Sequence, residues 1–226
     1  MLSERSGIGS EPFHVVTNGR DERLFAPGSD AERLQTRQRL GIPASAPLLV
    51  YAGSAGPQYR FDLMARYFQA IRAAMPGTRM LMLSGTPDRA REELTRHSSS
   101  VADFTSFVRP DADQVPLYLA AADAGFAFRS MSFSTRAVAP VKLGEYLLCG
   151  LPVIGTGKVG DSATAGAAGL FLDESSGPDA AAEWLRDKVI ANREAIRGAA
   201  RQAGLDHFSL GRSVDDYTRA VQAAQV

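Results

Sequence analysis

Lys142 and Glu145 stand three residues apart in the segment Ser134 to Ile154, STRAVAPVKLGEYLLCGLPVI. The spacing predicts a helix that starts at Pro140, with both side chains on one face. At a helix N-terminus the free N–H groups point outward and the dipole favours an anion. Lys142 in that first turn adds a cation where a phosphate would sit. A carboxylate one turn further on can accept two hydrogen bonds from a ribose diol. The same spacing also suits a solvated ion pair. The choice of lysine carries information, because only three of the 25 basic residues are lysines: Lys142, Lys158 and Lys188.

A second pattern, Gly155-Thr156-Gly157-Lys158-Val159-Gly160, matches G-x-G-x-x-G, with Asp173 eighteen residues beyond its first glycine. It follows a late strand and precedes a poorly amphipathic stretch, which argues against a dinucleotide fingerprint. Val159 stands where a P-loop needs Ser or Thr. His14, His97 and His207 pair with no other ligand at metal-binding spacing. Cys149 reads as buried packing, and as a lone cysteine it excludes an internal disulfide.

The elements that must position Lys142 and Glu145 are legible from about residue 47. Short apolar runs alternate with amphipathic ones, as in βαβ units. Strands are expected at Pro47–Ala52, Met80–Leu83, Phe104–Val108, Ala124–Phe128, Leu151–Ile154 and Gly169–Leu172. Phe61, Met64, Ala65 and Phe68 mark one face of a helix. Others are expected after Thr86, over Asp113–Ala122, from Pro140 to Cys149, around Ala180–Asn192, through Ala203 and around Val214–Ala224. The expected fold is α/β: a doubly wound, Rossmann-like parallel sheet of about six strands with helices on both faces. Such sheets bind ligands at the C-terminal ends of their strands, where the Lys142 helix begins. The first forty residues fit this less well. They carry a strand-like piece at His14–Thr17, a turn at Asn18-Gly19 and a helix over Asp30–Leu40 closed by Gly41.

With 226 residues, 45% hydrophobic and 22% charged, and a formal net charge of zero, the chain can bury a core without metals or disulfides. The composition argues against disorder and against a polybasic nucleic-acid binder. No run reaches the ~18 apolar residues of a membrane span. MLSERSGIGS has no signal-peptide core.

KLGEYLLCGLPVI resembles the signature of the nucleotide-binding domain of GT-B glycosyltransferases, the large retaining family four, or group 1. The resemblance runs along the chain in order. It takes in Val15-Val16-Thr17-Asn18-Gly19 with Phe25 and Pro27, Leu49-Val50-Tyr51-Ala52-Gly53, Phe104 to Val108, Val115 to Asp123 and Phe208-Ser209-Leu210. It implies the C-terminal half of a GT-B fold. The implied organisation is linker and hinge over residues 1–42, donor domain over 43–208, and a C-terminal helix over 209–226 crossing to an N-terminal domain. That domain, with the acceptor site, is expected in cis or as a separate chain.

The resemblance further implies that a UDP- or GDP-linked sugar is bound without a metal or other cofactor. The start of the helix, Ala139, Pro140, Val141 and Lys142, lies against the diphosphate, which the Val141 and Lys142 amides hold, and Glu145 binds the ribose. Main chain at Phe107, Val108 and Arg109 holds the base, and Gly53 forms the loop after the first strand. The departures are specific. Ala137 replaces a glutamate common eight positions before the ribose glutamate. Ser54 and Tyr59 replace the arginine and lysine of the usual phosphate clamp, so Arg60 and Lys142 are expected to supply the diphosphate charge, with Ser54 in support. The expected location is cytoplasmic, with peripheral contact at the inner membrane face left open. A non-catalytic module of the same fold and a nucleotide-sugar epimerase are the competing readings.

Overall fold

The computed structural model describes residues 14, 16–133, 141–172 and 177–223. Six strands form one parallel sheet in the order β3-β2-β1-β4-β5-β6. They are β1 (Leu48–Ala52), β2 (Arg79–Leu83), β3 (Thr105–Val108), β4 (Ala124–Ala127), β5 (Val153–Thr156) and β6 (Gly169–Leu172). The order reverses between β1 and β4, and such a reversal is where this architecture opens a ligand crevice. Every expected strand from residue 47 onward is present, with ends shifted by one or two residues. His14–Thr17 differs: none of its described residues is in a strand, and the nearest pairing is a single bridge of Arg20 with Ser209.

The helices are α1 (Asp30–Arg39), α2 (Phe61–Ala74), α3 (Pro87–His97), the short α4 (Ser99–Ala102), α5 (Val115–Ala121), α6 (Val141–Leu148), α7 (Asp179–Trp184), α8 (Arg193–Phe208) and α9 (Leu210–Ala223). One group packs α2 with α3 and α7; another pairs α1 with α5 and α6 with α8. Leu48 to Tyr51 of β1 are fully buried, and so are Met64, Phe68 and Ile71 of α2. The sheet centre thus reads as a continuous apolar run, as a strand covered on both faces should.

α1 buries arginines rather than leucines. A capping box of Ser29 with Glu32 starts it, and Gly41 at φ +65° ends it. Arg33 and Arg37 are 4% and 1% exposed. Their guanidinium groups meet Asp123, just before β4, at 2.9 and 2.8 Å. Arg193 from α8 reaches the same carboxylate at 2.8 Å, and the Leu48 amide donates to it at 2.9 Å. Arg37 also donates to the Ala46 and Ala121 carbonyls. One carboxylate therefore ties α1, β1, β4 and α8 together at the N-terminal edge of the sheet. Removing it leaves the buried cations Arg33 and Arg37 without a counter-charge. Asp123→Ala should cost about 3–5 kcal/mol of stability, read as a fall in the urea midpoint; a midpoint unchanged from wild type would contradict this role.

Candidate nucleotide-binding crevice

The crevice opens because Tyr146 separates β1 from β4. The two strands pair only at Leu49–Ala124 and Val50–Gly125. Beyond that, the Tyr146 hydroxyl accepts the Ala52 N–H at 2.7 Å and lies 3.5 Å from the Phe126 carbonyl. A Cβ on Gly125 would lie 2.5 Å from the Tyr146 ring, so only glycine admits it. Tyr146 is fully buried on α6, and the same helix carries Lys142 one turn earlier and Glu145 beside it.

Glu145 lines a cleft of about 290 Å³ with Ala52, Gly53, Ser54, Leu83, Ser84, Gly85, Pro110 and Val115. These residues stand at or just beyond the C-terminal ends of β1, β2 and β3, with Val115 at the start of α5. Glu145 is held by Arg20 at 3.0 Å. Burial raises its carboxyl above the ordinary range, while Arg20 and then Lys142 oppose the rise. Arg20 was not singled out in the sequence. Its backbone is clamped where α8 meets α9: its N–H donates to Phe208 and its carbonyl accepts from Leu210, both at 2.8 Å.

Lys142 lies at the other side of Gly53, where a Cβ would be 3.0 Å from its ammonium. The side chain retains some exposure, but Nζ itself is buried and has no hydrogen-bond partner among the described residues. It stands 3.9 Å from the Tyr51 ring centroid and 4.6 Å from that of Tyr59. The two rings supply cation–π attraction and nothing more directional. Lys142 lines a second cavity of about 220 Å³ with Val141, Tyr59, Ala127, Phe128, Arg129 and Val159.

The remaining expected residues are placed as follows. Gly53, Ser54 and Glu145 share one cleft, and Val141 and Lys142 the adjoining cavity. Arg60 lines neither; at φ +42°, it begins α2 with its guanidinium forked onto Asp62 at 2.8–3.2 Å. Phe107 and Val108 lie in β3, where Arg91 covers the Phe107 ring and the Val108 carbonyl accepts the Ser84 N–H. Arg109 is exposed, and Pro110 is the residue of this stretch that reaches the cleft. Ala137, Ala139, Pro140 and Asp173 lie outside the described residues.

The glycine-rich run is not a dinucleotide turn. Gly155 is inside β5 against the Ala127 carbonyl, and a 3₁₀ segment of small residues, Ser162–Ala168, follows in place of an α-helix. Gly157, Lys158 and Gly160 instead line a third cavity with Met131 and Phe171. Among the described residues, no group of three His, Cys, Asp or Glu is placed to hold a metal ion.

Lys142 titrates at about 7, against an ordinary 10.5. Burial is the largest cause, Arg129 adds to it and Glu145 opposes it. Tyr51 and Tyr59 are the other titratable groups facing it. Below about pH 7 both folded and unfolded chains hold the proton. Between about 7 and 10.5 only the unfolded chain does, so stability contributed through this group rises with pH across that window. Lys142→Met should therefore melt higher than wild type near pH 6, and that advantage should shrink towards pH 9. An advantage independent of pH would show that the ammonium is not desolvated.

Comparison with known proteins identifies the family and the fold. The family model described as "Glycosyl transferases group 1" matches residues 46–187. The D-inositol 3-phosphate glycosyltransferase of Saccharomonospora viridis is 29% identical, over 95% of this chain and 51% of its own length. A GDP-mannose-dependent phosphatidylinositol monomannoside mannosyltransferase of Corynebacterium glutamicum is 28% identical, over 89% of this chain and 54% of its own. The chain thus spans about half the length of the curated relatives it matches. The crystal structure of Anabaena Alr3699/HepE with UDP and glucose superposes with a TM-score of 0.73 at 18% identity, covering 98% of this chain and 59% of that one. The fold is that of the Rossmann-like half of a GT-B enzyme, and the chain belongs to the group 1 glycosyltransferase family.

Proposed function

We propose that this chain is the donor-binding half of its enzyme, holding a nucleotide-diphospho-sugar for glycosyl transfer with retention at the anomeric carbon. The observation that carries the reading is the placement of Glu145 and Lys142 on either side of Gly53, at the crevice where β1 and β4 part. The Glu145 cleft takes the nucleoside, with the carboxylate accepting from the ribose hydroxyls. Lys142 and the first N–H groups of α6 take the diphosphate. As the glycosidic C–O bond breaks, its electron pair passes to the diphosphate oxygen. The bound anion favours the protonated form of Lys142, and that cation together with the helix N-terminus stabilises the charge as it develops. In this reading protein cations do the neutralising and no metal is required.

One relative is named for a GDP-mannose donor and the superposed Anabaena structure holds UDP, so both nucleotides belong in the test. The acceptor and the other reacting groups are assigned to the N-terminal half of a two-domain enzyme. The face for that half is α9. Leu210, Val214, Tyr217 and Val221 form one apolar stripe on it, each between 44% and 60% exposed. That pattern suits a helix that packs against a second domain.

Titration calorimetry of UDP and GDP should show one of them binding, with affinity unchanged by EDTA. Glu145→Ala should then weaken it by about 1 kcal/mol or more, the scale of a lost bond to a charged group. Equal affinity in the variant would remove Glu145 from the site.

A further inference from the structure

We propose that Arg129 is a diphosphate-binding residue of this site, reaching it from the end of β4 and sharing one anion with Lys142. The inference rests on the donor-binding reading and names a contact beyond it.

Arg129 and Lys142 line the same 220 Å³ cavity, and among the described residues no carboxylate lines it with them. Arg129 Nε, like Lys142 Nζ, is buried with no hydrogen-bond partner among the described residues. The two cations also share one aromatic ring. The Arg129 guanidinium carbon lies 5.7 Å from the Tyr59 centroid, and the Lys142 ammonium lies 4.6 Å from it. Like charges so placed repel, and buried donors without acceptors cost free energy. An anion that accepts from both groups removes both penalties at once.

The position of Arg129 is fixed by the sheet. Its backbone N–H donates to Thr156 Oγ1 of β5 at 3.1 Å, which sets the direction in which the chain leaves β4. Tyr59 occupies the position where the family resemblance would put a clamp lysine, and here its ring lines the cavity beside both cations. Arg60, expected from the sequence to supply the charge, already holds Asp62. The ligand class follows from the neighbouring cleft. Gly53 borders Glu145 on one side and the Lys142 ammonium on the other. A nucleoside in the cleft would carry its diphosphate past Gly53 to the pair of cations. Two cations lining one cavity beside the same ring suit a diphosphate, which presents several charged oxygens along its length.

The test is calorimetry of the full chain with UDP and GDP, and with uridine and guanosine, for wild type, Arg129→Gln and Arg129→Lys. The expected result is that Arg129→Gln weakens the nucleoside diphosphate by about ten- to a hundredfold and leaves the nucleoside unchanged. Its diphosphate affinity should also fall less steeply with added salt. Arg129→Lys keeps the charge and should recover part of the loss, and it carries the test alone if the glutamine variant does not fold. Full diphosphate affinity in Arg129→Gln would overturn the assignment, and so would an equal loss of nucleoside and diphosphate. If wild type binds neither diphosphate, the donor-site reading itself falls. If wild type binds and Arg129→Gln binds equally, only the Arg129 assignment falls.

Discussion

The crevice depends on one inserted side chain. Tyr146 takes the Ala52 N–H that β4 would otherwise claim, and its ring occupies the space that a side chain at position 125 would fill. Parallel pairing of β1 with β4 therefore ends early, and the sheet opens at its point of reversal. Burial keeps the phenol neutral by pushing its pKa well above the ordinary value, so it stays a hydrogen-bonding group. Because Tyr146 is on α6, the contact that opens the sheet also sets the rotation of the helix. Lys142 and Glu145 are aimed into the crevice by the packing of a residue that is not itself exposed to ligand.

The two ends of the sheet treat charge in opposite ways. At the N-terminal edge, Asp123 is saturated by Arg33, Arg37, Arg193 and the Leu48 amide. Desolvation lowers both α1 guanidinium pKa values, that of Arg33 to about 10, and the shared carboxylate resists the fall. At the C-terminal edge, Arg129 Nε and Lys142 Nζ are buried, and among the described residues no acid lines their cavity. At the Asp123 end each buried charge has a partner that offsets its desolvation, whereas the cations at the other end have none among the described residues. Buried polar groups left without partners are expected at functional sites and rarely elsewhere.

Local pattern made much of this legible. Six strands and their order in the chain follow from alternating apolar runs. Lys142 and Glu145 can be read together because one turn of helix fixes their relation. The contacts between distant segments are different in kind. Arg20, Arg33 and Arg37 are ordinary arginines among many, and nothing near them in sequence names Glu145 or Asp123 as a partner. Arg129 has a positional signal, a basic residue directly after a strand beside the sheet reversal, but strand order must be known before that signal means anything. Arg60 was assigned by proximity to a family motif. A carboxylate two residues on captures it, and local capture of this kind competes with any longer reach.

Arg20 shows why the segment before β1 matters to the crevice. Its side chain holds Glu145, while its backbone is locked to the junction of α8 and α9 through Phe208 and Leu210. Gly19 permits that lock, because a Cβ there would lie 2.6 Å from the Ser209 carbonyl and from the Ser213 side chain. Ser213 in turn donates to Thr17, and Asp216 of α9 accepts from the Thr17 hydroxyl. The carboxylate assigned to ribose is thus oriented by a chain of contacts that ends on α9. An adjacent face of that helix carries the exposed apolar stripe. The Glu145 cleft and α9 are thus joined by a continuous path of backbone and side-chain hydrogen bonds, with Arg20 as the joint.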